Sequence, residues 1–168
     1  LNPLSSDLDV MRQSLLFSGL EAIAYNQNRR NSDLKFYEFG KVYNLDQDAY
    51  KENQRLSVFL RGSKMAESWN SKSLNTDFYN LKSAVDLIIG RLNIKGLATS
   101  ETTNPELSSG ISYRKGEKVL VEFGTVSKRS LKKLDISSEV FYADFDWDLL
   151  VRSVRNNKIS WLRKNLDF

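Results

Sequence analysis

The chain has 168 residues, 40% of them hydrophobic and 27% charged, with a net charge of +4; a globule of this size buries roughly 70% of its unfolded surface, enough for one core. It contains no Cys and no His, which excludes disulfides, thiolate nucleophiles, a Ser-His-Asp triad and His- or Cys-ligated metal built from this chain alone. Its mild basicity permits a polyanionic partner without requiring one.

No apolar run is long enough to span a bilayer, and Leu1-Asn2-Pro3-Leu4 lacks the basic-then-apolar order of a signal peptide. A cytoplasmic protein with no membrane contact is expected. In chain order, Leu16, Leu20, Ile23 and Ala24 form an apolar stripe that predicts a helix over Leu16–Arg29, fraying at Asn26-Gln27-Asn28. Phe17 lies off that stripe. Leu34–Tyr43 is aromatic-rich and reads as a strand, with Gly40 marking a bulge or a close backbone approach. Asn44–Asn53 is polar and reads as a loop, followed by a strand Leu56–Leu60.

The clearest helix runs over Phe78–Leu92, where Phe78, Leu81, Val85, Ile88, Ile89 and Leu92 share one face. Thr76 or Asp77 is placed to cap it, and Asn93 stands where a left-handed residue ends a helix. After a loop at Asn104–Gly110, a hairpin is expected from Ile111–Arg114 and Lys118–Thr125 across Lys115-Gly116. Alternation there puts Val119, Val121 and Phe123 on one side and Leu120 and Glu122 on the other. A short basic helix at Ser127–Leu134, a strand at Glu139–Phe145 and a helical stripe of Trp147, Leu150, Val151 and Val154 complete the pattern. The order predicts an α+β fold, a mainly antiparallel sheet flanked by helices.

Candidate chemistry is sparse. Asp144, Asp146 and Asp148 alternate, and carboxylates at that spacing suit a hard cation. A calcium loop would need Gly and Glu where Leu149 and Arg155 stand, so no metal ligand is assigned. Asp146 instead reads as the cap of a helix beginning at Trp147, with Asp144 and Asp148 exposed near its start. Glu38, among Phe36, Tyr37 and Phe39, suits either a general acid of raised pKa or a strand carboxylate paired with a neighbouring Lys or Arg; the pairing is the commoner outcome. No Gly-rich phosphate loop is present. No catalytic or cofactor-binding residue is assigned. The last 43 residues carry 9 basic and 6 acidic groups, and Arg152, Arg155, Lys158, Arg163 and Lys164 occur without an acid between them. This run reads either as a solvated helix end or as contact with nucleic-acid phosphate, Trp161 serving as a stacking surface.

Several segments in order resemble the beta subunit of bacterial phenylalanyl-tRNA synthetase. Asn2-Pro3-Leu4-Ser5 is followed by Val10-Met11-Arg12-Gln13-Ser14-Leu15-Leu16, similar to the family's N-P-L-S and V-M-R-T-S-L, and the next helix ends in Asn26-Gln27-Asn28-Arg29, similar to N-x-N-R. Tyr37-Glu38-Phe39-Gly40-Lys41-Val42 resembles F-E-x-G-x-V. Trp69, with Asp77-Phe78-Tyr79-Asn80-Leu81-Lys82, resembles W…D-F-x-x-x-K, while Gly124-Thr125-Val126-Ser127 departs from G-x-x-H-P by placing Ser127 at the His.

The resemblance implies the catalytic-like module of that subunit, a class II synthetase fold that performs no aminoacylation. It implies an alpha subunit supplying the site for ATP, phenylalanine and the tRNA terminus, and an (αβ)2 assembly. ATP and magnesium then belong to the holoenzyme, with no cofactor held by this chain. Phe36-Tyr37-Glu38 departs from the F-R-x-E of an active motif 2, and Gly124 lacks the glycine partners and arginine of a motif 3. By the same resemblance, 1–157 is the module lacking its first helix and strand, and 158–168 begins a linker to an anticodon-stem-binding domain. Arg12 and Phe17 are candidate contacts to the alpha subunit. Arg152, Arg155, Lys158, Trp161, Arg163 and Lys164 are candidate RNA-proximal residues. A stand-alone nucleic-acid- or protein-binding domain is the alternative reading.

Overall fold

Burial follows the expected helical stripes. In the computed structural model, which describes residues 11–46, 49–65 and 74–154, helix α1 (Leu16–Asn28) buries Leu16, Gly19, Leu20 and Ile23. Helix α2 (Phe78–Arg91) buries Leu81, Val85 and Ile89, while Ile88 stays half-buried. Asp77 rather than Thr76 caps α2. Its Oδ1 accepts from the Asn80 amide at 2.9 Å, and Asn80 Oδ1 accepts from the Asp77 amide at 3.0 Å, so two otherwise orphaned donors are satisfied. Asn93 adopts φ 52° at the other end, and the Ile94 amide donates back to the Ile89 carbonyl. Asn tolerates this left-handed conformation.

The strands are β1 (Leu34–Asp46), β2 (Ala49–Arg61), β3 (Ser63–Met65), β4 (Leu74–Asn75), β5 (Ala98–Glu101), β6 (Leu107–Lys115), β7 (Lys118–Val126) and β8 (Phe141–Asp146). Between β7 and β8 lies the short helix α3 (Lys128–Lys132), capped by Ser127; a last helix, α4, starts at 147 and continues to 154. Six strands form one antiparallel sheet in the order β1-β2-β8-β7-β6-β5, and β3 pairs with β4 separately.

Three sequence readings are corrected by this sheet. Within the expected loop Asn44–Asn53, residues 44–46 and 49–53 are strand instead: Asn44 pairs with Lys51 and Asp46 with Ala49, so β1 and β2 run out as a ribbon beyond the point where β8 stops at Arg55. Its polarity reflects solvent around a two-stranded arm. Leu107–Gly110 belongs to β6 rather than to the preceding loop. In β7, Val121 pairs with Tyr113 but Val119 pairs with Arg114. Leu120 is thus the extra residue of a bulge, which turns it into the same core as Val121 and Phe123 instead of the opposite face.

The two faces of the sheet carry different cores. On one, Leu56, Leu60, Phe141, Ala143, Phe145, Val121 and Phe123 pack under α2 and α4. On the other, Phe59 and Tyr142 pack with Leu16, Leu20 and Ile23 of α1 and Leu131 of α3. A Cβ at Gly19 would overlap the Phe59 ring, so glycine sets how closely α1 approaches the sheet. Gly40 answers the expected close approach rather than a bulge: it pairs in register with Arg55, and a side chain there would meet Arg12 and Leu15.

Candidate functional site

On the α1 side of the sheet, the register places one polar residue of each strand in a single transverse line. Glu38 is opposite Ser57, Ser57 opposite Asp144, Asp144 opposite Glu122, Glu122 opposite Ser112, and Ser112 opposite Ser100. Side chains alternate between faces along a strand, so all six point to one side. Ser57 and Ser112 are buried. Next to the line, Arg55 precedes Ser57 by two residues along β2, and Asp146 follows Asp144 by two along β8.

The line is closed by its own contacts. Arg55 Nη1 lies 3.5 Å from Asp144 Oδ2 and Arg55 Nη2 3.8 Å from Asp146 Oδ2. Arg12 Nη1 meets Glu38 Oε1 at 2.6 Å, and Ser18 Oγ donates to Glu38 Oε2 at 3.2 Å. Thr102 Oγ1 donates to Glu122 Oε1 at 3.1 Å, Ser100 and Ser112 hydroxyls lie 2.9 Å apart, and Ser57 Oγ lies 3.2 Å from Tyr142 Oη. Asp144 Oδ1 is buried without a partner. Burial pushes the Asp144 carboxyl up from 3.8 to about 6; Arg55 opposes that rise, while Glu122 and Asp146 add to it. Burial likewise raises the Tyr142 phenol.

Two sequence readings resolve here. Glu38 is the paired carboxylate, its partner Arg12 coming from the segment before α1. Asp146 caps α4, accepting from the Leu149 amide at 3.0 Å. Asp144, however, is not exposed at the helix start: it sits in the sheet with its side chain 22% exposed. Asp148 is also engaged, accepting from the Gln54 amide at 2.9 Å.

The line does not suit a triphosphate. Its cations, Arg12 and Arg55, are each held by carboxylates, and the carboxylates Glu38, Glu122, Asp144 and Asp146 outnumber them. Nor, among the described residues, is any group of three acidic or other ligating side chains set to hold a metal ion.

Of the residues singled out from sequence, Arg12 is tied down: besides Glu38, its Nε donates to the Lys41 carbonyl at 2.9 Å and its own carbonyl accepts from the Tyr43 amide at 2.9 Å. Phe17 is 37% exposed, with Lys133 Nζ 5.6 Å from its ring centroid. Arg152 is exposed on α4. Arg155, Lys158, Trp161, Arg163 and Lys164 lie outside the described residues, as does the 157/158 boundary. Sequence reasoning missed the transverse line; its only trace is a polar residue at the centre of each apolar strand, as in Leu56-Ser57-Val58, Val121-Glu122-Phe123 and Ala143-Asp144-Phe145.

The fold is similar to that in the crystal structure of pyrrolysyl-tRNA synthetase from Desulfitobacterium hafniense, with a TM-score of 0.65 at 13% identity over 87% of this chain and 50% of that one. The fold is therefore that of a class II aminoacyl-tRNA synthetase module. The family model described as "Phenylalanyl tRNA synthetase beta chain CLM domain" matches residues 1–147. The chain belongs to this family. It is 43% identical, over 96% of its length, to the phenylalanine–tRNA ligase beta subunit of Bacteroides thetaiotaomicron, and 33% identical, over 95%, to that of Porphyromonas gingivalis. The chain spans about a fifth of the length of these curated relatives, 21% in both cases. The phenylalanyl-tRNA synthetase beta chain family is the one reached from the sequence segments alone. No helix among the described residues is long and apolar enough to cross a membrane.

Proposed function

We propose that this module is a non-catalytic scaffold of a cytoplasmic phenylalanine–tRNA ligase, supporting an alpha subunit in an (αβ)2 assembly that joins phenylalanine to tRNA with ATP. One observation carries the reading: on a class II platform, both arginines of the line across the sheet are paired with carboxylates, Arg12 with Glu38 and Arg55 with Asp144 and Asp146. Adenylate formation needs cationic groups directed at a phosphate as its charge develops, and these are committed to carboxylates. ATP and magnesium belong, on this reading, to the alpha subunit.

The surface also supports attachment to a protein partner. On the opposite face of β1, Tyr37 and Phe39 are 69% and 53% exposed, and with Leu56, Val58, Leu60 and Ile88 they line a groove of about 360 Å³. Exposed apolar surface of this kind marks interaction sites. Arg12 and Phe17 remain the proposed alpha contacts, and the basic run Arg152, Arg155, Lys158, Trp161, Arg163 and Lys164 the proposed RNA-proximal stretch, with 158–168 leading towards a further tRNA-binding domain.

Co-expression with a bacterial alpha subunit tests the proposal. The two chains are expected to co-purify, and the 168-residue chain alone is expected to show no phenylalanine-dependent pyrophosphate exchange. Exchange by the chain alone would overturn it, as would failure to retain alpha. Phe17→Ser is expected to weaken retention with the melting temperature little changed.

A further inference from the structure

A second polar site lies at the other end of the α1 layer. Arg61, at the end of β2, is only 4% exposed, yet among the described residues no carboxylate forms an ion pair with it. Its Nε donates to Ser138 Oγ at 2.5 Å and its Nη2 to Gln27 Oε1 at 2.6 Å. Its Nη1 is buried and unpartnered. Burial lowers its pKa, and Asp33 opposes this through space. A buried guanidinium without a contacting anion projects its charge outward, because little solvent screens it.

Ser138 forms part of the wall of a hollow of about 460 Å³, floored by Leu131 and Ile136 and lined also by Lys128, Lys132, Asp135, Ser137 and Glu139. Lys128 and Lys132 stand one turn apart on α3. Both are exposed, and neither they nor Arg129 enter an ion pair among the described residues. The carboxylates of Asp135 and Glu139 balance the two lysines in the lining. The surplus is supplied by Arg61 behind it, by Arg129, and by Arg29 and Arg30 beyond it. The end of α1 joins this surface directly, since Gln27 Nε2 donates to the Asp135 carbonyl at 3.0 Å. There the Arg29 guanidinium lies 3.5 Å from the ring centroid of Tyr25, which is 57% exposed.

We propose that the hollow between α3 and the turn at 135–139, continued by Arg29, Arg30 and Tyr25 at the end of α1, is a contact face for the phosphate backbone of an RNA strand. Lys128, Lys132 and the Ser137 hydroxyl receive a phosphate, which suits the ammonium donors and the outward field of Arg61. The stacked Tyr25–Arg29 pair offers an unpaired base a planar surface. RNA is favoured over an anionic membrane because the surface pairs its cations with a planar platform suited to a base. This goes beyond the scaffold reading and does not depend on it.

Fluorescence polarisation of a labelled single-stranded RNA with the 168-residue chain, at several salt concentrations, tests this. Binding is expected to weaken with salt, and Lys128→Glu/Lys132→Glu to reduce affinity by roughly tenfold or more. The log–log salt slope should flatten by about 0.7 for each phosphate that the variant no longer neutralises. Lys128→Arg/Lys132→Arg should retain binding, and Arg152→Glu should change it less than the α3 pair. If the α3 variant melts early, Arg29→Glu/Arg30→Glu, on exposed positions, decides by the same readout. Absence of salt-sensitive RNA binding by the parent would overturn the proposal. So would affinity within twofold of the parent in both charge-reversed pairs, or binding to phosphatidylserine vesicles without binding to RNA. Retention of the alpha subunit, measured separately, reports on the scaffold reading alone.

Discussion

Two neighbouring lines of residues cross the same face of the same sheet, two positions apart, and behave oppositely. Phe36, Phe59 and Tyr142 lie side by side, with ring centroids 4.9 Å apart in each pair, and the line continues through Gly124 and Gly110. The parallel line Glu38–Ser57–Asp144–Glu122–Ser112–Ser100 is polar throughout. Helix α1 covers the aromatic line, whereas the polar line is held by hydroxyls and two arginines, with Asp144 Oδ1 left unpartnered. The step between them shows how a single face divides its labour: one line contributes stability through burial, and its neighbour accepts a cost in desolvated carboxylate.

The largest test of this division is in the aromatic line. Phe59 is fully buried between Phe36, Tyr142 and Gly19. Phe59→Ala is expected to cost about 3–5 kcal/mol by urea denaturation. Gly19→Ala forces the ring aside and should cost about 1–3 kcal/mol, the range for overpacking. Combining Gly19→Ala with Phe59→Leu should cost less than the sum, because the smaller side chain relieves the overlap.

In the polar line the expected sign reverses. Asp144 has its carboxyl raised from 3.8 to about 6 in the folded chain, so the folded state binds its proton more tightly than the unfolded state. Below about pH 4 both states are protonated and no penalty applies; stability then falls as pH rises to about 6 and is level above it. Asp144→Asn should therefore stabilise the chain by about 1–2 kcal/mol at pH 7.5, with the gain vanishing towards pH 4. Melting temperatures of parent and variant across that range check it, and a gain independent of pH would reject the assignment. The smallest effect is expected where the two lines touch. Tyr142→Phe removes the hydroxyl that meets Ser57 at 3.2 Å and should cost about 0.5–1.5 kcal/mol. A double-mutant cycle with Ser57→Ala would show whether the two lines are coupled.

Much of the fold was legible because its signals are local. The stripes of α1 and α2, the Asp77 and Asp146 caps, the left-handed Asn93 and the hairpin turn at Gly116, with φ 62°, each depend on residues within a turn or two of one another. The family, too, could be read from short ordered segments. The ribbon formed by residues 44–46 and 49–53 was not, because a solvated two-stranded arm and a loop share the same polar composition. Nor was the bulge at Leu120, since one inserted residue changes its face without leaving a mark in the alternation.

The candidate sites divide along the same boundary. Sequence alone determined which residues carry charge and that no triad, phosphate loop or thiolate could be assembled. Only tertiary structure decided that Glu38, Ser57, Asp144, Glu122, Ser112 and Ser100, drawn from six strands, form one line, because strand register is fixed by long-range pairing and a shift of one residue sends every side chain to the other face. It also decided that Arg61 is enclosed between Gln27 and Ser138, 34 residues before it and 77 after it, since burial of a charge depends on which elements pack over it and not on its neighbours in the chain.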